Sequence, residues 1–169
     1  MSAINKGEVL CPLIYNDIGN HYEVINPNIQ NCVFIIDKDD YEKVYGYWWG
    51  NVSNGYIGAK GMALHRFLTN CPKGLEVDHK NGNKLDNRKE NLRICSRKEN
   101  SRNAKISKRN TSGYKGVRWA KNEKKWVAGI IFNGKNVHLG YFTCKHEAAR
   151  EYNKAAVKYF REFAWLNAV

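Results

Sequence analysis

Four side chains in the middle of the sequence have types and spacing suited to phosphoryl chemistry. They are the adjacent pair Asp78 and His79, then Asn91 twelve residues on, then Asn100 nine residues further. Hydrolysing a phosphodiester needs a base to activate water, a cation to neutralise charge on the phosphate, and stabilisation of the leaving 3′ oxygen. Asp78 offers a carboxylate oxygen and Asn100 an amide oxygen, hard donors suited to one Mg2+ or Mn2+ ion. His79 can accept a proton near neutral pH. Taken alone, an Asp-His pair is most often a surface turn, and Asn81-Gly82-Asn83 is usually just a turn. All four residues in one register carry more weight.

The segment around them reads as two short strands flanking an Asn/Gly/Asp-rich loop, 80–87, followed by a helix. Ser96 as N-cap with Glu99 three residues later is the capping-box pattern. Upstream, residues 33–36 (Val-Phe-Ile-Ile) read as a buried strand. Asp37 follows as an N-cap, and Tyr41, Val44, Tyr45 and Trp48 recur as one face of a short helix. Asn54-Gly55 marks a turn, and 62–68 reads as a second strand carrying His65 and Arg66. This opening region has no chemical motif of its own and reads as a scaffold.

Beyond residue 104 the pattern changes. Residues 105–112 are basic, polar and nearly free of apolar side chains, as suits a linker. Lys108 and Arg109 there are candidates for phosphate contact. Residues 114–119, 125–132 and 135–142 read as three strands, the last two joined by the turn pair Asn133-Gly134. A helix follows with Ala148, Ala149, Tyr152, Ala155, Ala156, Tyr159, Phe160 and Phe163 on one stripe. Its small residues let it lie close on one face of a sheet and leave the other face free, carrying much of the positive charge.

The central segment resembles the ββα-metal (His-Me finger) unit of HNH endonucleases, especially the phage and intron-encoded homing type. The resemblance runs through Val77-Asp78-His79-Lys80-Asn81-Gly82-Asn83, Leu85-Asp86-Asn87 and Glu90-Asn91-Leu92-Arg93. It implies that Asp78 and Asn100 bind the metal, that His79 is the general base, and that Asn91 braces the loop aiming His79. It implies products with 5′-phosphate and 3′-hydroxyl ends. His65 and Arg66 sit where related proteins often carry a His-Arg pair. A phosphate contact and a structural role both stay open for His65. Arg93 and Arg97 are further candidate DNA contacts.

The C-terminal part resembles the Apetala-two/ethylene-response-factor (AP-two/ERF) DNA-binding domain of plants. The resemblance rests on Ser112-Gly113-Tyr114-Lys115-Gly116-Val117-Arg118-Trp119, Leu139-Gly140-Tyr141-Phe142 and the run Glu147 to Ala156. Such domains lay a three-stranded sheet in the major groove. Lys115 and Arg118 fall where that family has DNA-contacting arginines, and Trp126 is a candidate for stacking on DNA or for the core. Gly129, Ile131, Asn136 and His138 depart from that family, so its sequence preference does not transfer.

Composition agrees with a polyanion partner. The 169 residues carry 28 Lys/Arg against 16 Asp/Glu, a net charge of +12. Eleven Lys/Arg against two Glu fall between Arg97 and Lys125, interleaved with Tyr114 and Trp119. No basic amphipathic helix and no apolar run near ~18 residues points to a membrane. The five cysteines, Cys11, Cys32, Cys71, Cys95 and Cys144, form no C-x-x-C pair and read as free thiols. The N-terminus has no secretory h-region, so the expected place is a cytoplasm, that of the host cell for a phage protein.

The expectation is therefore an α+β protein in three parts. Residues 1–104 form a scaffold and nuclease domain (motif 75–104), 105–112 a basic linker, and 113–169 a three-stranded antiparallel sheet with one packed helix. The partner is double-stranded DNA, with no membrane and no protein partner implied, and with monomer or homodimer undecided. The expected function is metal-dependent cleavage, site-specific homing or nicking. The competing readings are a DNA-binding regulator with a vestigial nuclease unit, and an RNA- or single-strand-binding protein.

Overall fold

The computed structural model describes residues 13–107 and 109–169, so Cys11 and Lys108 lie outside the described residues. The chain divides between Ser96 and Arg97 into two compact units. Mixed helices and small antiparallel sheets make it an α+β protein.

The first unit opens with an antiparallel meander of β1 (Ile14–Asp17), β2 (His21–Ile25) and β3 (Val33–Asp37). Alternation in β3 sends Phe34 and Ile36 into a core with Val24, Trp49, Ile57 and Leu64. After a 3-10 turn, α1 (Tyr41–Val44) is one turn long, shorter than the periodicity suggested. Tyr45 is extended and Gly46 adopts a left-handed φ of 87°, which ends the helix. Trp49 then enters the core fully buried, its Nε1 donating to Val44 O at 2.9 Å, while Tyr45 and Trp48 stay exposed. Asp37 makes no capping bond, because its carboxylate serves another loop, described below.

β4 (Gly50–Asn51), β5 (Ile57–Ala59) and β6 (Met62–Ala63) form a second small sheet. The strand expected over 62–68 is confined to β6. From Leu64 the chain is helical as α2 (Leu64–Thr69), so His65 and Arg66 lie on a helix. The physical reason is a 3.6-residue pattern that the strand reading overlooked. Leu64, Phe67 and Leu68 share one face, and Leu64 and Leu68 are buried. Asn70, left-handed at φ 49°, closes the helix. β7 (Glu76–His79) and β8 (Leu92–Cys95) then form an antiparallel ribbon, the last elements of the first unit.

The second unit begins with α3 (Arg97–Arg102), so in chain order the segment is strand, loop, strand, helix. Its sheet contains β9 (Val117–Ala120), β10 (Lys125–Phe132) and β11 (Lys135–Phe142), all antiparallel with β10 central. Positive φ at both Asn133 (50°) and Gly134 (76°) gives the expected hairpin turn. α4 (Lys145–Phe160) buries Ala148, Ala149, Tyr152, Ala155, Ala156 and Phe160 against one sheet face. β9 starts three residues later than expected. Ser112, 3% exposed, donates to Val117 O at 2.8 Å and Asn110 Nδ2 to Tyr114 O at 2.9 Å, so 110–114 is a tied turn.

Gly116 is needed for this packing. Its φ is +74°, and an added Cβ would lie 2.0 Å from the Tyr152 ring and 2.7 Å from Gly129 O. Gly116→Ala should destabilise the second unit by about 2 kcal/mol or more. Chemical denaturation followed by tryptophan fluorescence checks this. A variant as stable as wild type would show that the Tyr152 ring can move aside.

Candidate active site

In the β7–β8 ribbon Asp78 faces Arg93 and His79 faces Leu92. Successive strand residues point to opposite faces, so Asp78 and His79 project on opposite sides. Arg93 grips Asp78 through Nε and Nη2, 2.8 and 2.5 Å from Oδ2, in a pair largely buried on both sides. This positively charged partner offsets the cost of burying the carboxylate.

The loop between the two strands is held by its own polar side chains. Asn91 spans it, with Nδ2 donating to Asp86 O at 2.7 Å and Oδ1 accepting from Asn81 N at 3.0 Å. Asp86, 2% exposed, accepts from Arg88 Nε and Nη2 at 2.8 Å each and from Asn81 Nδ2 at 3.0 Å. The Arg88 hydrogen bonds hold the Asp86 carboxyl below the usual carboxylate range. The scaffold fastens the loop from outside. Ile35 N donates to Leu85 O and Asn87 N to Ile35 O, both at 2.8 Å, and Asp37 accepts from Lys89 N at 2.7 Å. The loop thus extends the β3 edge by one parallel bridge.

Asn87 connects this loop to His79. Its Nδ2 donates to Leu85 O at 3.2 Å, which turns Oδ1 toward His79 Nε2, 3.4 Å away. An acceptor there favours the proton on Nε2. Burial pushes the His79 pKa down, outweighing the Asn87 bond and the Asp78 and Asp86 charges that raise it. The ring is therefore neutral at pH 7.

His65 and Tyr56 pack around it. The His65 and His79 rings meet edge to face at 5.2 Å, and Tyr56 lies 4.8 Å from His65 and 5.9 Å from His79. His65 is 7% exposed and its Nδ1 has no hydrogen-bond partner among the described residues. Burial, then His79, Arg66 and Lys84, lower its pKa to about 4. Neutral histidine is thus the rule on this side of the ribbon.

The remaining expected contacts divide. Arg66 is engaged with Leu75, Cys71 and Pro72 carbonyls at 2.8 to 3.2 Å and ties down the turn after α2. Arg93 is bound to Asp78. Lys115 is half-buried, with Nζ on the carbonyls of Arg102 and Ala104 at 2.7 and 2.6 Å, and burial brings its pKa down to about 8. Trp126 lies on the α4 side of the sheet, against the core and edge-on to Trp119 at 5.1 Å. Each of these side chains already meets a partner inside its own unit. Arg97, Arg109 and Arg118 are exposed. By register, Arg118 shares the open sheet face with Lys125, Ile131, Asn136, His138 and Tyr141, a face less densely charged than expected.

Sequence reasoning did not single out Tyr56, Lys84, Asp86 or Asn87. Asp86 and Asn87 carried a signal, as consecutive polar residues inside the motif. Tyr56, distant in sequence, carried none. Asn100 lies on α3 in the second unit. Among the described residues no three His, Cys, Asp or Glu side chains cluster as a metal cage. An ion held by one carboxylate and one amide oxygen requires none.

A family model described as HNH endonuclease matches residues 62–102, from β6 to the end of α3. An uncharacterized HNH endonuclease of Acanthamoeba polyphaga mimivirus is 32% identical over 143 residues, covering 79% of this chain and 74% of the viral protein. The chain belongs to the HNH endonuclease family. Protein 3.8 of Escherichia phage T7 is 45% identical over 64 residues, covering 38% of this chain and about half, 53%, of the phage protein. No solved structure matches. The HNH match contains Asp78, His79, Asn91 and Asn100, and also His65 at the start of α2.

The buried neutral His65 makes stability depend on pH. Its folded pKa, about 4, lies below its unfolded value of 6.5. The contribution is complete above pH 6.5 and is lost as pH falls toward 4, on the order of 3 kcal/mol in all. His65→Asn should flatten this decline, with a residual slope from His79. Urea melts at pH 7.5 and 4.5 check it, and an unchanged slope would contradict it.

Proposed function

We propose that this HNH endonuclease hydrolyses phosphodiester bonds in double-stranded DNA with the help of one divalent cation, Mg2+ or Mn2+. The observation that carries the reading is His79, buried, uncharged and oriented by Asn87 at the end of a strand inside the HNH match. His79 takes the proton of the attacking water through Nδ1. The oxygen adds to phosphorus in line with the 3′ oxygen, which departs, leaving 5′-phosphate and 3′-hydroxyl ends. Asn91 acts indirectly, by holding the loop that carries Asn87. Asp78 is the proposed carboxylate ligand, and Asn100 is the second oxygen ligand on motif spacing alone. A cation bound there would neutralise charge on the phosphate and on the leaving oxygen.

The C-terminal unit is proposed as the DNA-targeting part of a site-specific homing or nicking enzyme. A three-stranded sheet with one face covered by α4 and the other open supports this use, and so does the resemblance to AP-two/ERF domains. On this reading Arg118 is the principal contact on the open face, with Arg97 and Arg109 as phosphate contacts.

Cleavage of supercoiled plasmid tests the proposal. EDTA should abolish cutting, and Mg2+ or Mn2+ should restore it. His79→Ala should lower the single-turnover rate by ~10² or more, with DNA retention nearly unchanged. Asp78→Ala should stay inactive at any metal concentration. Cutting that survives thorough chelation, or His79→Ala at the wild-type rate, would contradict the mechanism. DNA binding with no cutting under any metal would mark the protein as a regulator.

A further inference from the structure

One cation beside the two imidazoles is not used by the mechanism above. Lys84 comes from the β7–β8 loop, and its Nζ lies 4.3 Å from the centre of the Tyr56 ring. The same ammonium donates to Asn54 O at 2.7 Å. Asn54 (φ 62°) and Gly55 (φ 74°) are consecutive left-handed residues, and the turn they form presents that carbonyl beside Tyr56. Tyr56 in turn touches both His65 and His79. Lysine, imidazoles and ring therefore form one continuous cluster.

Holding a long side chain in place costs rotamer entropy. No carboxylate pairs with Lys84 among the described residues. A carbonyl and a ring face hold the ammonium without neutralising it. A fixed, uncompensated positive charge next to a neutral base is suited to an anion that arrives from outside.

We propose that Lys84 docks the phosphodiester on which His79 acts, and that Tyr56 is the positioning residue that holds Lys84 in place. The proposal rests on the nuclease reading for its substrate, but the docking point stands on the cluster itself. Lys84 contacts a non-bridging oxygen and fixes phosphorus within reach of water bound to His79. Tyr56 acts through its ring face, so its hydroxyl is not needed. The positive charge of Lys84 already reaches both histidines, lowering the pKa of each.

Two measurements on the full chain test this. The first titrates dimethyl phosphate, a minimal diester, into protein labelled with 15N-histidine. The His65 and His79 ring signals should move in wild type and Tyr56→Phe, move much less in Tyr56→Leu, and stay still in Lys84→Met. The second measures single-turnover plasmid cleavage. Lys84→Met should slow it about tenfold or more, Tyr56→Phe should not, and Tyr56→Leu should. Adding Tyr56→Leu to Lys84→Met should cost nothing further, because both changes remove one interaction. A purely structural role for Tyr56 predicts additive losses and would overturn the proposal. So would a wild-type chain that cleaves DNA while its histidine signals ignore dimethyl phosphate, an outcome that leaves the nuclease reading intact. Signals that respond in a chain unable to cut would support the docking point and overturn the nuclease reading.

Discussion

The structure depends on burying a polar loop next to a histidine. Asp86, Asn87 and Asn91 are each no more than 5% exposed. A buried amide or carboxylate without partners costs on the order of 1–3 kcal/mol or more. The loop can form only as a set in which every member is satisfied. Arg88 and Asn81 satisfy Asp86, the Asp86 carbonyl satisfies Asn91, and the Leu85 carbonyl satisfies one end of Asn87. What remains is the Asn87 oxygen, directed at His79. The side chain proposed to do chemistry is thereby oriented by the same bonds that let the loop fold. The meander of the first unit contributes by closing the loop onto β3.

Two kinds of charge control meet around this loop. On one side of the ribbon Asp78 is buried with its cation, Arg93. On the other side His79 and His65 are buried and kept neutral by loss of water. The split fits the proposed division of labour between a hard anionic ligand and an uncharged base. It also explains why Arg93 makes no free cationic contact, since removing it would strand a buried carboxylate.

Much of this was legible in the sequence, and the failures are informative. The β7–loop–β8–α3 order followed from turn residues and capping signals, and the hairpin at Asn133-Gly134 from a requirement for positive φ. The Lys145–Phe160 helix followed from its alanine stripe. The Leu64–Thr69 helix was missed because two turns of helical pattern in a short apolar run look like a strand. The helix at Tyr41 was overextended because Gly46 was given too little weight against periodicity. Several basic residues read as DNA contacts proved to be internally bonded. Composition counts cations but does not reveal which carbonyls they meet, as Arg66 and Lys115 illustrate. Tyr56 was invisible for a different reason. Its proximity to His79 arises only when the β4–β5 turn and the ribbon are both in place.

The central claim is that burial fixes the charge of His79 and the loop fixes its tautomer. Direct observation of the ring nitrogens by 15N NMR across a pH titration of the full chain tests it. The account predicts a neutral ring at pH 7 with its proton on Nε2, titrating below the ordinary histidine value of 6.5. A His79 that titrates at or above that value, or carries its neutral proton on Nδ1, would contradict it.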